Sequence, residues 1–170
     1  MSNIAKMKTN QVNMFEAIEH KNLTLSEQES IIQLAREITR EKCKTGQIVS
    51  SSVFISQLLI QELADLNNEV FGAVFLSSHR EIISIDNLFQ GTIDGASVYS
   101  RVVVQRVLEC NAAAVIFYHN HPSGFSLPSS ADRQLTKRLQ EALKLIDVPV
   151  LDHLVVGGAN VVSFAERGML

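Results

Sequence analysis

Residues able to hold a metal ion are concentrated in a short part of this 170-residue chain. His119 and His121 are separated by one residue, and Asp132 follows eleven positions later with Ser129 just before it. In an extended segment residues i and i+2 point to the same side, so both imidazoles can face one point. Catalytic zinc usually takes three protein ligands and keeps a water in the fourth position. The spacing therefore predicts an open zinc site formed by His119, His121 and Asp132.

A water on such a site needs a group that accepts its proton, and the upstream candidate for this general base is Glu69. Glu69 stands directly before Val70-Phe71-Gly72-Ala73-Val74-Phe75-Leu76, an apolar run that predicts a buried strand. A carboxylate at the mouth of a buried strand is poorly solvated, which raises its pKa toward the working range of a base. The plainer alternative is a solvated glutamate at a strand entrance.

The elements that must position the metal ligands follow from the hydrophobic pattern. The run 112–118 is short, continuously apolar and ends at His119, which predicts a strand buried on both faces with the histidines at its C-terminal edge. Pro122 ends this strand, and a loop follows. Ser129 and Asp132 have the spacing of a capping box that opens a helix. The apolar stripe of that helix places Asp132 on its inward side and comprises Leu135, Leu139, Leu143 and Ile146.

Each of these residues also has a purely structural alternative. The two histidines can be turn residues that bond backbone, Ser129 can be a simple N-cap, and Asp132 can be a capping-box residue favoured by the helix dipole. Capping and ligation are compatible for Asp132, and two histidines at the preceding strand end favour ligation. The pair Asp152-His153 opens another apolar strand and is predicted to be structural, orienting the site through hydrogen bonds.

The rest of the pattern predicts a small helical leader and further elements of an α/β domain. Helices are expected over 27–44, 53–66 and 98–109, and strands over 70–76, 82–85, 149–156 and 160–164. Residues 1 to 22 are expected to form a loosely held arm or a short helix. The helix over 98–109 contains three consecutive valines, whose β-branching opposes helix formation.

Composition fits one enzyme-sized domain. With 46% hydrophobic and 19% charged residues the chain can bury a core without disulfides. Two distant cysteines and no signal peptide predict a reducing, cytoplasmic location, and no apolar run approaches the ~20 residues of a membrane span. The net charge of −3 and pI near 5.9 give no electrostatic footprint for nucleic acid, so charge does not support DNA binding.

The joint motif resembles the signature of the JAMM (MPN+) metallopeptidases. Its parts are Glu69-Val70-Phe71-Gly72, then His119-x-His121-Pro122, six residues, Ser129, two residues and Asp132. The segments 89–92, 98–101, 119–124, 151–157 and 163–168 are similar to the JAMM-like domain of RadC proteins, and the likeness covers roughly residues 50 to 170. Ser100 stands where RadC sequences usually have proline, and Val102 where they often have glutamate. No helix-hairpin-helix pattern precedes the domain, so a short form is expected.

This resemblance implies a fold, a reaction and residue roles. The fold would be an MPN (JAMM), cytidine-deaminase-like three-layer α/β sandwich with a mixed central sheet over residues 49–170, preceded by a helical leader over 1–48. The reaction would be zinc-dependent hydrolysis of a peptide or isopeptide bond in a peptide or protein substrate. Glu69 would activate the water, and Ser129 would bond the developing oxyanion or the water. Apart from the resemblance, the apolar face of the leader is expected to pack on the domain or on a second copy, and the latter would give a homodimer.

Three alternatives to a metallopeptidase stay open at this point. The historical naming of RadC as a repair factor implies a DNA-repair-associated accessory protein. A non-catalytic MPN scaffold is argued against by the intact ligand set, and a metallonuclease uses similar ligands. A nucleobase deaminase shares the implied fold class, but its His-x-Glu and Pro-Cys-x-x-Cys motifs are missing.

Overall fold

The computed structural model describes residues 22–49, 52–91 and 97–170. The arm predicted over residues 1 to 22 therefore lies outside the described residues, except for residue 22 itself. The elements are α1 (Leu25–Lys42), α2 (Ser52–Leu63), β1 (Val70–Leu76), β2 (Ile82–Gln90), α3 (Ser100–Cys110), β3 (Ala114–Asn120), α4 (Ser130–Lys144), β4 (Val150–Gly157) and β5 (Asn160–Ser163). Each predicted helix and strand within the described ranges is present.

The chain divides into two compact units, with the boundary between residues 37 and 38. The described part of the first unit holds the beginning of α1, where the Thr24 hydroxyl caps the helix by accepting from the Glu27 backbone N–H at 3.3 Å. The Glu27 carboxylate accepts in return from the Thr24 backbone N–H at 2.8 Å, which completes a capping box. The second unit holds the remaining elements. The predicted boundary between leader and domain at 48/49 stays a prediction.

A five-stranded mixed sheet in the order β2-β1-β3-β4-β5 forms the centre of the second unit. Only β3 and β4 run parallel, and the other neighbouring pairs are antiparallel. A parallel pair needs a crossover connection, which α4 supplies. The sheet therefore places the end of β3, the start of α4 and the end of β4 at the same edge.

Helices cover both faces of this sheet. One face packs on α2 through a core that includes Leu59, Leu63 and Tyr118. The opposite face packs on α3 and α4 through a core that includes Val107 and Leu139. Because both faces of β3 are covered, every residue of this strand is buried, which explains its continuously apolar sequence. The predicted three-layer α/β sandwich is confirmed.

The largest difference from the predicted bounds is in β2. The strand was predicted over 82–85, yet it continues to Gln90 because its ladder to β1 runs on past a register shift at Phe71/Gly72. In α3 the buried Val103 and Val107 show that packing outweighs the low helix propensity of valine. Among the described residues, no helix combines the length and apolar character needed to cross a bilayer.

Candidate metal centre

The end of strand β3 delivers both histidines to one point. His119 lies within the strand, and His121 follows it, with its backbone N–H donating to the carbonyl of Val156 on β4 at 2.8 Å. The ladder between these strands thus extends past the last residue of β3 and holds the backbone that carries both rings. His119 Nε2 and His121 Nε2 are 3.0 Å apart, while Asn120 points elsewhere as the strand alternation predicted.

The first turn of α4 delivers the carboxylate. The predicted capping box is confirmed: the Ser129 hydroxyl accepts from the Asp132 N–H at 3.1 Å, and Asp132 Oδ2 accepts from the Ser129 N–H at 2.6 Å. Asp132 Oδ1 lies 3.5 Å from His119 Nε2, and Oδ2 lies 3.4 Å from His121 Nε2. One ligand atom from each residue fits within 4.8 Å of the others, and no other such group of His, Cys, Asp or Glu occurs in the part of the chain that the structure describes. A single conformation of Asp132 therefore both caps α4 and brings its carboxylate to the two histidines.

The protonation of the cluster suits a cation. Burial, only partly offset by the charge of Asp132, lowers the pKa of His119 from 6.5 to about 4. The hydrogen bond to Asp132 is the main cause that raises the pKa of His121, and the nearby charge of Glu69 acts in the same direction. Burial alone would raise the pKa of Asp132, but its bonds with His121 and Ser129 and the charge of His119 lower it overall. At neutral pH the cluster therefore presents a neutral imidazole beside an ionised carboxylate.

The hydrogen-bond partner of His121 Nδ1 shows which ring nitrogen of this residue can bind a metal. His121 Nδ1 lies 2.6 Å from the carbonyl oxygen of Phe125, which can only accept, so Nδ1 carries the hydrogen in the neutral ring and Nε2 offers its lone pair to the cluster. Gly157 allows this contact, because a Cβ there would lie 2.3 Å from the backbone nitrogen of Ser126 in the same loop. Two imidazole nitrogens and one carboxylate oxygen form a donor set that fits Zn²⁺.

Glu69 lies at the mouth of β1, beside the histidines but outside the group of ligand atoms. The register pairs Phe71 with His119, so continuing the antiparallel ladder by two residues sets Glu69 opposite His121. Its side chain is half-buried, and its charge contributes to the raised pKa of His121. A carboxylate next to a metal site without belonging to the ligand set has the placement that a general base requires.

Asn120 holds the backbone on both sides of Glu69, and the sequence alone gave no sign of this. The side chain is 1% exposed, accepts from the Val70 N–H at 2.7 Å and donates to the carbonyl of Asn68 at 3.2 Å. An amide is needed because one partner is a donor and the other an acceptor. The residue between the two histidines thus fixes the segment that carries Glu69.

A second set of contacts lies behind His119. His119 Nδ1 is 2.8 Å from His153 Nε2, His153 Nδ1 is 2.7 Å from the Thr136 hydroxyl, and this hydroxyl donates to the carbonyl of Asp132 at 2.7 Å. The structural prediction for Asp152-His153 agrees with this arrangement. The Asp152 carboxylate accepts from the backbone N–H groups of His153 and Ala165 and from the hydroxyl of Ser163. Thr136 stands one helical turn after Asp132, which is the only sequence signal for its role.

Comparison with known proteins is consistent with this geometry. The sequence profile described as RadC-like JAB domain matches residues 48–169. The chain is 49% identical to a UPF0758 protein of Cellvibrio japonicus over 142 residues, which covers 84% of this chain and 63% of that protein. It is 50% and 51% identical to UPF0758 proteins of Shewanella baltica and Shewanella denitrificans over 138 residues, 81% of this chain and 61% of each relative. The chain thus spans less than two thirds of the length of these relatives, whose names state no activity.

Proposed function

The chain belongs to the RadC-like JAB domain family, and from this premise we propose that it is a zinc-dependent hydrolase that cleaves a peptide or isopeptide bond with a metal-activated water. The observation that carries the proposal is the convergence of His119, His121 and Asp132 on one point, with ligand atoms within 4.8 Å. Three ligands leave the fourth position of a tetrahedral ion open, which is the arrangement of catalytic rather than structural zinc.

The chemistry divides between the metal and two side chains. Bound zinc would lower the pKa of a coordinated water to about 7 and polarise the scissile carbonyl. Glu69 would accept the proton of the attacking water and deliver it to the leaving amine. Extending the β1–β3 register sets Glu69 opposite His121, and the charge of Glu69 raises the pKa of His121. Asn120 keeps Glu69 in place through the backbone groups of Asn68 and Val70.

Ser129 is suited to bond the oxyanion that develops on the substrate. In the cap its oxygen accepts from the Asp132 N–H, so the hydroxyl hydrogen can be donated elsewhere. The residue is exposed, and it precedes the helix whose N-terminal dipole favours negative charge. A preorganised donor of this kind contributes about 3 kcal/mol to stabilisation of a transition state.

Metal binding is tested first, because it requires no substrate. Zinc content after dialysis and zinc affinity by chelator competition are measured for the whole chain and for His119→Ala, Asp132→Ala and Glu69→Gln. We expect one zinc per chain, a loss of at least tenfold in affinity for the first two variants and an unchanged affinity for Glu69→Gln. A wild-type chain that binds no zinc at micromolar concentration would overturn the ligand assignment.

Turnover is tested on a library of internally quenched peptides together with lysine-isopeptide conjugates. Glu69→Gln is expected to lower the rate on the best substrate by about 10²- to 10⁴-fold with zinc still bound. Ser129→Gly removes the hydroxyl while keeping an acceptable N-cap, and Ser130→Ala, next to it and exposed, is its matched control. Equal rates for wild type and Glu69→Gln would refute the assignment of the base. If the chain cleaves plasmid DNA but none of the peptides or isopeptide conjugates, the peptidase proposal is wrong and a nuclease activity takes its place.

A further inference from the structure

The hydrogen bonds behind His119 have one consistent order of protons. The order starts at the carbonyl oxygen of Asp132, which has no hydrogen, so the hydrogen in its 2.7 Å contact with Thr136 Oγ1 comes from the hydroxyl. This hydroxyl has then used its single hydrogen and must accept from His153 Nδ1. A neutral His153 that carries its hydrogen on Nδ1 has a bare Nε2.

The same logic continues to the predicted metal ligand. The bare Nε2 of His153 accepts from Nδ1 of His119 at 2.8 Å, so His119 carries its hydrogen on Nδ1. In a neutral imidazole the other nitrogen is then bare, and Nε2 of His119 is the atom that faces His121 and Asp132. A backbone carbonyl in the first turn of α4 thus selects the tautomer of a histidine on β3.

The surroundings of His153 stabilise this arrangement of hydrogens on its ring nitrogens. The side chain is fully buried, stacks on Phe164 with ring centroids 4.8 Å apart, and meets Phe71 and Phe117 edge-on at 5.6 and 6.1 Å. These aromatic faces offer no competing acceptor for either nitrogen, and their packing holds the ring in one rotamer. Within the described residues, the two ring nitrogens of His153 hydrogen-bond to His119 and to Thr136.

We propose that His153 and Thr136 are positioning residues, which hold His119 in the Nδ1–H tautomer and so keep its Nε2 lone pair directed at the metal. The inference rests on the proposed function for the identity of the metal site, whereas the proton order itself follows from the hydrogen-bond geometry. Removing the Thr136 hydroxyl leaves His153 with no acceptor at Nδ1. The His153 hydrogen can then move to Nε2, which drives the His119 hydrogen onto the atom needed for zinc.

The proton order is measured directly on the metal-free, 15N-labelled wild-type chain. The chain has five histidines, so long-range 1H–15N correlation spectra of the imidazoles can be assigned residue by residue. We expect Nδ1–H, Nε2-bare signals for both His119 and His153 at pH 7.5. An Nε2–H tautomer at His153 would overturn the proposal, and this measurement needs neither zinc nor substrate.

The effect on the metal is measured with a matched pair at one position. Thr136→Val keeps the shape and loses the hydroxyl, whereas Thr136→Ser keeps the hydroxyl and loses a methyl group. We expect Thr136→Val to weaken zinc binding by about 10- to 100-fold and Thr136→Ser by less than about threefold. A purely structural role would give the opposite ranking or equal losses, because Ser leaves a small cavity at this buried site.

A second pair of variants, at His153, tests the proposal even if Thr136→Val does not fold. His153→Gln retains an acceptor that reaches His119 Nδ1, and His153→Leu does not. The leucine variant is expected to bind zinc at least tenfold more weakly than the glutamine variant. Wild type that binds no zinc would refute the proposed function and leave the tautomer result standing. If wild type binds zinc and the Thr136→Val and His153→Leu variants bind it with the same affinity, this inference alone is refuted.

Discussion

Replacing Asn120 with alanine should separate turnover from metal binding. The substitution removes the acceptor of the Val70 N–H and the donor to the Asn68 carbonyl. Asn68 is exposed, so water can replace its partner, but Val70 is only 4% exposed and its N–H is left buried. One buried unsatisfied donor costs about 1–3 kcal/mol, so the free energy of unfolding should fall by about 2 kcal/mol while the chain stays folded.

The catalytic effect follows from the position of Glu69 between those two backbone groups. Without the amide the segment before β1 can shift, and a misplacement of about 1 Å in a reacting group lowers kcat by about 10²-fold. His119 and His121 are held by the β3–β4 ladder instead, so zinc affinity should stay within about threefold. The assay combines kcat on the best library peptide, chelator competition for zinc and urea unfolding.

A matched control and a double-mutant cycle make the result decisive. Asn87→Ala removes another side-chain amide of the same sheet, whose Oδ1 accepts from the Tyr118 hydroxyl at 2.8 Å, and should leave kcat unchanged. In the Glu69→Gln background, Asn120→Ala should lower kcat by less than about twofold, because its effect passes through Glu69. Losses that multiply in the double variant, or a loss of zinc from Asn120→Ala, would refute this reasoning.

Three further predictions use stability and affinity. Asp132→Asn keeps an acceptor for the capping box, so the metal-free chain should lose only about 1 kcal/mol of unfolding free energy while zinc affinity drops at least tenfold; equal zinc affinities would show that Asp132 only caps α4. Because the pKa of His119 falls from 6.5 to about 4 on folding, its protonation favours the unfolded chain, and the metal-free protein should lose stability as pH falls from 6.5 toward 4. His121, whose pKa is raised, contributes a constant stabilisation below 6.5, so urea midpoints that do not decline over this window would contradict the reasoning. Gly72→Ala would place a Cβ 2.2 Å from Tyr118 Cζ and should cost about 3 kcal/mol by urea unfolding. If adding Tyr118→Leu, which removes the ring, gives costs that simply sum, the clash is not the cause.

The sequence predicted the parts of this structure that depend on local pattern. The buried β3 follows from a continuous apolar run, and the α4 cap follows from Ser129 and Asp132. Convergence of the two histidines follows from the period of two in an extended strand. Approach of Asp132 to them was inferred from its side of the helix stripe, which is also a local property.

The partners in the supporting contacts could not be predicted, because they depend on registers between distant segments. Asn120 reaches Asn68 and Val70 only because β1 and β3 pair with Phe71 opposite His119. His153 reaches His119 only because the parallel register of β3 and β4 sets it beside Phe117, two residues before the ligand. Hydrophobic pattern fixes which face a residue occupies, and it leaves open which polar atom meets it there.

These supports nevertheless follow a rule that links them to the ligands. Asn120 stands between His119 and His121 and points to the other side of the strand, where it holds the segment of Glu69. Thr136 stands one turn after Asp132 on the same face of α4, and its hydroxyl bonds the carbonyl of that residue. Each element that presents a ligand therefore also carries, one residue or one turn away, a polar group that fixes a second member of the site. A shift of either element would displace ligand and support together, so the geometry of the site is coupled to the packing of β3 and α4.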